Sequence, residues 1–283
     1  MEEIKTLDLG DVTLAYKEIG TGDKYLLCSQ NFFFENSHMA RLGRPPYDYH
    51  VFLIYMRGYN KSTHITDGVP RNYTCIWGQD VIRFAEAMHL PSFYYTGISH
   101  GNWPGWYIAF HRPDMLRGMV CCNGLAAYMP RDPARTPLAP PRNLDEIVGN
   151  REALAKMAWK ETWPTENPQR LATRASNEKE HLEILMGRAK EEFNVPIELD
   201  MSVCEAKSQQ EVLDRMKTLN FPLLVWYGGK DRGPEWALTV AQTVPGASLL
   251  TYQHLGHGGA DECPEIAARD CDRFFKDTEG RIL

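Results

Sequence analysis

No stretch of this chain stays apolar long enough to span a bilayer, and its opening residues, MEEIKTLDLG, are acidic and hold no hydrophobic leader. A membrane partner is therefore not expected, and the compartment expected is the cytoplasm. C-x-x-C pairs are missing too: the seven cysteines (Cys28, Cys75, Cys121, Cys122, Cys204, Cys263 and Cys271) are odd in number and irregularly spaced. That pattern argues against a disulfide framework and reads as reduced, mostly buried thiols. Clusters of lysine and arginine are absent, and 37 acidic against 31 basic side chains leave a net charge of −6. Nucleic-acid binding leaves a basic footprint, so no such partner is expected. There is no internal repeat and no low-complexity tract.

What is present suits a globular enzyme core. The chain has 283 residues, 43% hydrophobic and 11% aromatic, enough for one large α/β domain with or without an insertion. Residues 4–9 and 12–19 alternate in polarity around Gly10-Asp11 and predict an antiparallel hairpin. Beyond them, apolar runs at 25–29, 51–55, 93–98, 116–122, 221–227 and 248–252 predict buried strands. Helical patterns separate them: at 73–90, Val81, Phe84, Ala85 and Met88 share a face with Trp77, and helices are also predicted at 104–111, 234–243 and 264–276. This alternation predicts an α/β fold, a mostly parallel central sheet with helices on both faces.

One region breaks the rhythm. Pro130, Pro133, Pro137, Pro140 and Pro141 crowd a stretch that can be neither helix nor central strand. From there to about residue 219 only helical signals follow. Asn143 with Glu146 predicts a reciprocal helix cap, and Leu182, Leu185, Met186, Ala189 and Phe193 predict one helical stripe. The expected organisation is a core of residues 1–128 and 218–283 interrupted by a helical insertion, 129–217.

At 97–101 the chain reads Gly-Ile-Ser-His-Gly, between a predicted strand and a predicted helix. This G-x-S-x-G pattern builds a sharp bend that presents the serine. A side chain at either glycine is expected to collide with the neighbouring strand or helix. The following helix start would aim its N–H groups and positive dipole end at a developing oxyanion. Such a pattern arises by chance in about one chain in twenty of ordinary composition, so its context decides. Asp231 stands just beyond the strand at 221–227, and His257 just beyond the strand at 248–252. Serine needs an imidazole to take its proton, and the imidazole needs a carboxylate to fix its tautomer. Alone, Asp231 reads as a loop or cap aspartate, but the other strand end that could carry the acid holds Asn123. His254 competes with His257, whose glycine neighbours leave it freer to swing toward Ser99. As H-x-x-H the pair lacks a third ligand, so no metal is expected.

Ser99, Asp231 and His257, in that order and each past a strand, resemble the α/β-hydrolase superfamily in its cap-bearing branch. The resemblance spans 7–128 and 221–275, with the insertion in the place of the cap. Arg57-Gly58-Tyr59 with Ser62 is similar to the family's R-G-[FY]-G-x-S turn, Asp80 falls where members carry an aspartate before the elbow, and Gly228-Gly229-Lys230-Asp231 looks like its G-x-x-D acid loop. The resemblance implies Ser99, Asp231 and His257 as catalytic residues, the backbone N–H groups of Phe32 and His100 as an oxyanion hole, and no cofactor. Departures are Gln30-Asn31 where members carry His-Gly, Met56 and Asn60 around the Arg-Gly turn, and Asn102 in the elbow helix. The activity implied is hydrolysis of a carboxylic ester or lactone of a hydrophobic, aromatic small molecule through an acyl-enzyme. Phe33, Trp103, Met157, Trp159 and Trp163 are its candidate pocket residues. Ser-His-Gly-x-Trp also resembles the elbow of the cofactor-independent dioxygenases of this fold. C–C bond hydrolases share the triad, and a low-turnover ligand-binding protein keeps the same pocket.

Overall fold

Alternate residues of a strand face opposite sides of a sheet, so each fully apolar strand of this chain feeds two separate cores. The structure is a computed structural model describing residues 2–65, 73–128, 143–194 and 206–279; the proline cluster at 130–141 and Cys204 lie outside these residues. The strands are β1 (Lys5–Asp8), β2 (Thr13–Ile19), β3 (Lys24–Gln30), β4 (Tyr49–Tyr55), β5 (Phe93–Ile98), β6 (Leu116–Cys122), β7 (Leu223–Gly228) and β8 (Ser248–Tyr252). They form one sheet in the order β1-β2-β4-β3-β5-β6-β7-β8. β2 runs antiparallel to β1 and β4, and the pairs from β4 to β8 are parallel.

The helices are α1 (His38–Leu42), α2 (Tyr73–Ala87), α3 (Trp103–His111), α4 (Leu144–Ile147), α5 (Arg151–Met157), α6 (Pro168–Met186), α7 (Gln209–Met216), α8 (Pro234–Thr243), α9 (Gly259–Glu262) and α10 (Pro264–Glu279). On one side of the sheet Leu27, Phe52, Tyr95, Cys121 and Val225 meet Trp77 and Phe84 of α2, Ile108 of α3 and Val240 of α8. On the other, their neighbours Leu26, Leu53, Tyr94, Val120 and Leu224 meet Met39 of α1 and Ala267, Cys271 and Phe275 of α10. This is the α/β-hydrolase layering: a sheet buried on both faces. Because β3 and β5–β8 are parallel, their carboxyl ends share one edge of the sheet, where an open α/β fold places its ligands. The Arg57-Gly58 turn braces that edge, since Arg57 Nε and Nη2 grip both oxygens of Asp80 at 2.9 and 2.6 Å.

The helical region between β6 and β7 differs from its sequence reading in three places. α6 stops at Met186, where Gly187 collects the last carbonyls, so Ala189 and Phe193 lie past its end rather than on its stripe. α4 is a single turn whose Asn143 caps no backbone N–H; its amide donates to Glu146 Oε1 at 2.6 Å instead. α7 falls inside the expected insertion, 129–217, yet Val212 and Met216 pack into the first core with α8. α4, α5 and α6 keep a small core of their own, built on Leu144, Leu154 and Leu185. The residues α6 buries besides Leu185 are polar: Arg170, Asn177 and His181.

Candidate active site

The bend after β5 carries the site. Ser99 sits at φ 52°, in the left-handed region that non-glycine residues adopt only under constraint. The constraint is local. A Cβ at Gly97 would lie 2.5 Å from the Gly101 carbonyl oxygen, and one at Gly101 would lie 2.5 Å from the Gln30 side chain. The expected clash is thus with the elbow itself and with Gln30. Asn102, the unexpected residue of the elbow, ties it down by donating to the carbonyls of Ser99 (3.3 Å) and Cys122 (2.9 Å). The bend continues as a short 3-10 turn, Ser99–Asn102, so α3 itself begins only at Trp103.

Three strand ends bring the sequence-selected residues together. His257 Nε2 lies 2.8 Å from Ser99 Oγ, and its Nδ1 lies 2.9 Å from Asp231 Oδ2. Asn123, at the rival strand end, donates to the same Asp231 oxygen at 2.7 Å and accepts from the Gly228 N–H at 3.2 Å. It therefore holds Asp231 from the rival strand end. His254 is exposed, and its carbonyl accepts from Arg170.

The electrostatics follow from these contacts. Burial pushes the Asp231 carboxyl up, but hydrogen bonds from His257 and Asn123 and the charge of His257 hold it below its ordinary value. His257 is raised, first by its hydrogen bond to Asp231, against burial, and then by the charges of Asp231 and Glu161. Burial pushes His100 down to about 4, helped by the positive fields of His257 and Arg188. His100 is therefore neutral near pH 7, and its Nε2 lies 2.9 Å from Asn31 Oδ1.

The two departures of the β3 loop have distinct jobs here. Gln30 Oε1 accepts from the Ile98 N–H at 3.0 Å while its Nε2 donates to the Phe32 carbonyl at 3.3 Å. Asn31 holds His100. Together they fasten the loop that carries Phe32 to the bend that carries Ser99. Neither the Phe32 nor the His100 backbone N–H enters a turn or loop hydrogen bond among the described residues.

The pocket expectations divide. Trp103 stacks over Trp77 with ring centres 6.5 Å apart and lies 6.0 Å from the His100 ring. Trp159 and Trp163 press on the two glycines that flank His257: a Cβ at Gly258 would fall 2.1 Å from Trp159 Cζ2, and one at Gly256 2.2 Å from Trp163 Cδ1. Phe33 is buried edge-on against Tyr55 in the second core. Met157 is partly buried and packs on the small core of α4–α6.

Sequence reasoning overlooked Glu161 and His181. Glu161 Oε2 accepts the Gly258 N–H at 3.0 Å while its Oε1 accepts from Thr162 and Trp163, which pins the 159–163 loop onto the histidine loop. His181 stacks on Phe32 at 4.3 Å and accepts the Trp159 N–H through Nδ1 at 2.7 Å. Nothing in the spacing of either residue marks it.

No family model matches the chain, and no curated protein matches it by sequence. Solved structures do match. A hydrolase from Pseudomonas aeruginosa superposes with a TM-score of 0.65 at 17% identity, covering 99% of each chain. A thermophilic esterase from Thermogutta terrifontis gives 0.66 at 18% identity, over 97% of each chain. The enol-lactonase from Burkholderia xenovorans gives 0.66 at 15% identity, over 98% of this chain and 100% of its own. These likenesses establish the α/β-hydrolase fold.

Proposed function

We propose that the chain is a serine hydrolase of carboxylic esters or lactones. The observation that carries this reading is the unbroken relay at the sheet edge, in which one imidazole reaches both Ser99 Oγ and Asp231 Oδ2. Ser99 attacks the carbonyl carbon while His257 Nε2 takes its proton, and Asp231 holds Nδ1–H and stabilises the imidazolium. The backbone N–H groups of Phe32 and His100 receive the oxyanion. Collapse of the tetrahedral intermediate expels the alcohol, protonated by His257, and leaves an ester on Ser99. Water, deprotonated by the same histidine, then releases the acid.

In this reading residues of the 143–194 region act as the cap. Trp159 and Trp163, beside the His257 loop, and Trp103, beside His100, offer aromatic surface to an apolar, aromatic substrate. Among the described residues no helix is long and apolar enough to cross a membrane. A panel of nitrophenyl esters and aromatic lactones, assayed on wild type and Ser99→Ala, tests the proposal. Turnover that disappears in Ser99→Ala supports it. Activity surviving in Ser99→Ala, or oxygen uptake with a hydroxylated heteroaromatic, would replace it with the oxygenase alternative.

A further inference from the structure

Arg57, Arg170 and Arg188 are three of the arginines that expose little of their side chains, and the first two are matched to carboxylates in the same way. Arg57 presents its Nε/Nη2 edge to Asp80, at 2.9 and 2.6 Å. Arg170 presents the same edge to Glu262, at 2.8 and 3.0 Å. That side-on edge carries two parallel N–H groups spaced for the two oxygens of one carboxylate. Arg188, two residues past the end of α6, is the third. Its side chain is only 12% exposed, and its Nε and Nη2 are both enclosed without a hydrogen-bond partner.

Among the described residues no group hydrogen-bonds to that edge. Glu192, its ion-pair partner there, has Oε2 3.9 Å from Arg188 Nε, beyond hydrogen-bond reach. Its oxygens are also occupied, Oε1 by the Ala189 N–H and Oε2 by the Asn60 N–H, each at 3.0 Å. The guanidinium lies 5.3 Å over the Tyr59 ring, which supports the charge but offers no acceptor along the edge. Arginine does not shed its proton to escape such a position, so an enclosed fork without a hydrogen-bond acceptor is a standing cost unless an anion fills it.

The fork lies over Tyr59, on the turn that follows β4. The field of Arg188 reaches His100, which follows the nucleophile, and His181, whose ring stacks on Phe32. Burial holds both histidines neutral near pH 7, at about 4 each. They therefore add no second cation, which suits a singly charged carboxylate better than a phosphate dianion.

We propose that Arg188 is a substrate-binding residue whose Nε/Nη2 edge takes a free carboxylate, so that the site accepts esters or lactones bearing a second, ionised carboxyl group. This rests on the serine-hydrolase reading for the ester and on Arg188 alone for the anion.

The test separates the two. Nitrophenyl half-esters of glutaric and adipic acid are compared with the neutral valerate and hexanoate, uncatalysed rates subtracted, on wild type and Arg188→Met, which keeps the unbranched stem over Tyr59. The proposal expects kcat/KM for the half-esters to fall at least tenfold, chiefly through KM, with the neutral esters changed less than threefold. An equal fall on both classes, or none on the half-esters, overturns it. Calorimetric titration of Ser99→Ala with glutarate and adipate gives the second arm, which needs no turnover. Binding that weakens at least tenfold when Arg188→Met is added supports the anion site even if wild type hydrolyses nothing. Binding indifferent to Arg188, or no binding, overturns it. Should Arg188→Met fail to fold, Arg188→Lys keeps the charge and removes the fork, and a loss of at least threefold in the same titration is required.

Discussion

Asn31 Oδ1 and His100 Nε2 meet at 2.9 Å, joining a β3-loop residue that departs from the family pattern to the residue that follows Ser99 in the elbow. Burial keeps His100 neutral near pH 7, so this is a hydrogen bond between uncharged groups, in which Nε2–H donates. Its effect is to hold Phe32, the next residue along, at a fixed distance from Ser99. Asn31→Ala and His100→Ala are each expected to lower kcat about five- to tenfold, as loss of one such bond would. Because they break the same contact, the double variant should lose little more than either single one. A double-mutant cycle on ester hydrolysis checks this; multiplicative losses would mean that the two residues act separately.

In the proposed mechanism His257 serves as a base only when neutral. Its hydrogen bond to Asp231 and the charges of Asp231 and Glu161 raise its pKa above the ordinary 6.5. As pH falls through that raised value the imidazolium takes over, so the acid limb of kcat/KM should lie above pH 6.5. Glu161→Gln removes one of the charges that raise it, and the limb should move toward lower pH. A limb that stays in place in Glu161→Gln would confine Glu161 to a purely structural role.

Gly258→Ala would set a methyl group 2.1 Å from Trp159 Cζ2. Either the tryptophan or the histidine loop must move, and a shift of about 1 Å in the base costs up to about a hundredfold in rate. A fall in kcat of about ten- to a hundredfold is expected, with partial recovery when Trp159→Leu is added. Steady-state kinetics of the two variants decide it, and no recovery would place the strain elsewhere.

Glu262, whose side chain is fully buried, answers both Arg170 and Arg174 of α6. Glu262→Ala strands two enclosed guanidinium groups and should cost about 3–5 kcal/mol of stability. Urea denaturation measures it, and a loss under about 1 kcal/mol would show that water replaces the carboxylate there.

Legibility followed the physics of each level. Strands such as β5 and β6 were readable to the residue, since a largely apolar run of that length between turn residues has few other uses. Ser99, Asp231 and His257 were readable because strand ends and glycine-rich turns mark where a parallel sheet presents side chains. The seam of α6 was not. Periodicity detects apolar faces, and this helix turns Arg170, Asn177 and His181 inward, each answered by a partner distant in sequence or by a stacked ring. Glu161 was hidden for the same reason: its contact to Gly258 spans 97 residues. The core contacts of Phe33 and Met157 were not legible either, because an apolar side chain in a loop or helix does not reveal which of two apolar surroundings it joins.

The central claim is that Ser99 is a nucleophile activated by His257, and intact-protein mass spectrometry after treatment with a fluorophosphonate measures it most directly. Wild type should gain one phosphonyl adduct, located on Ser99 by peptide mapping, with Ser99→Ala unlabelled and His257→Ala labelled at least a hundredfold more slowly. Equal labelling of wild type and Ser99→Ala, or no labelling of wild type, would contradict the account.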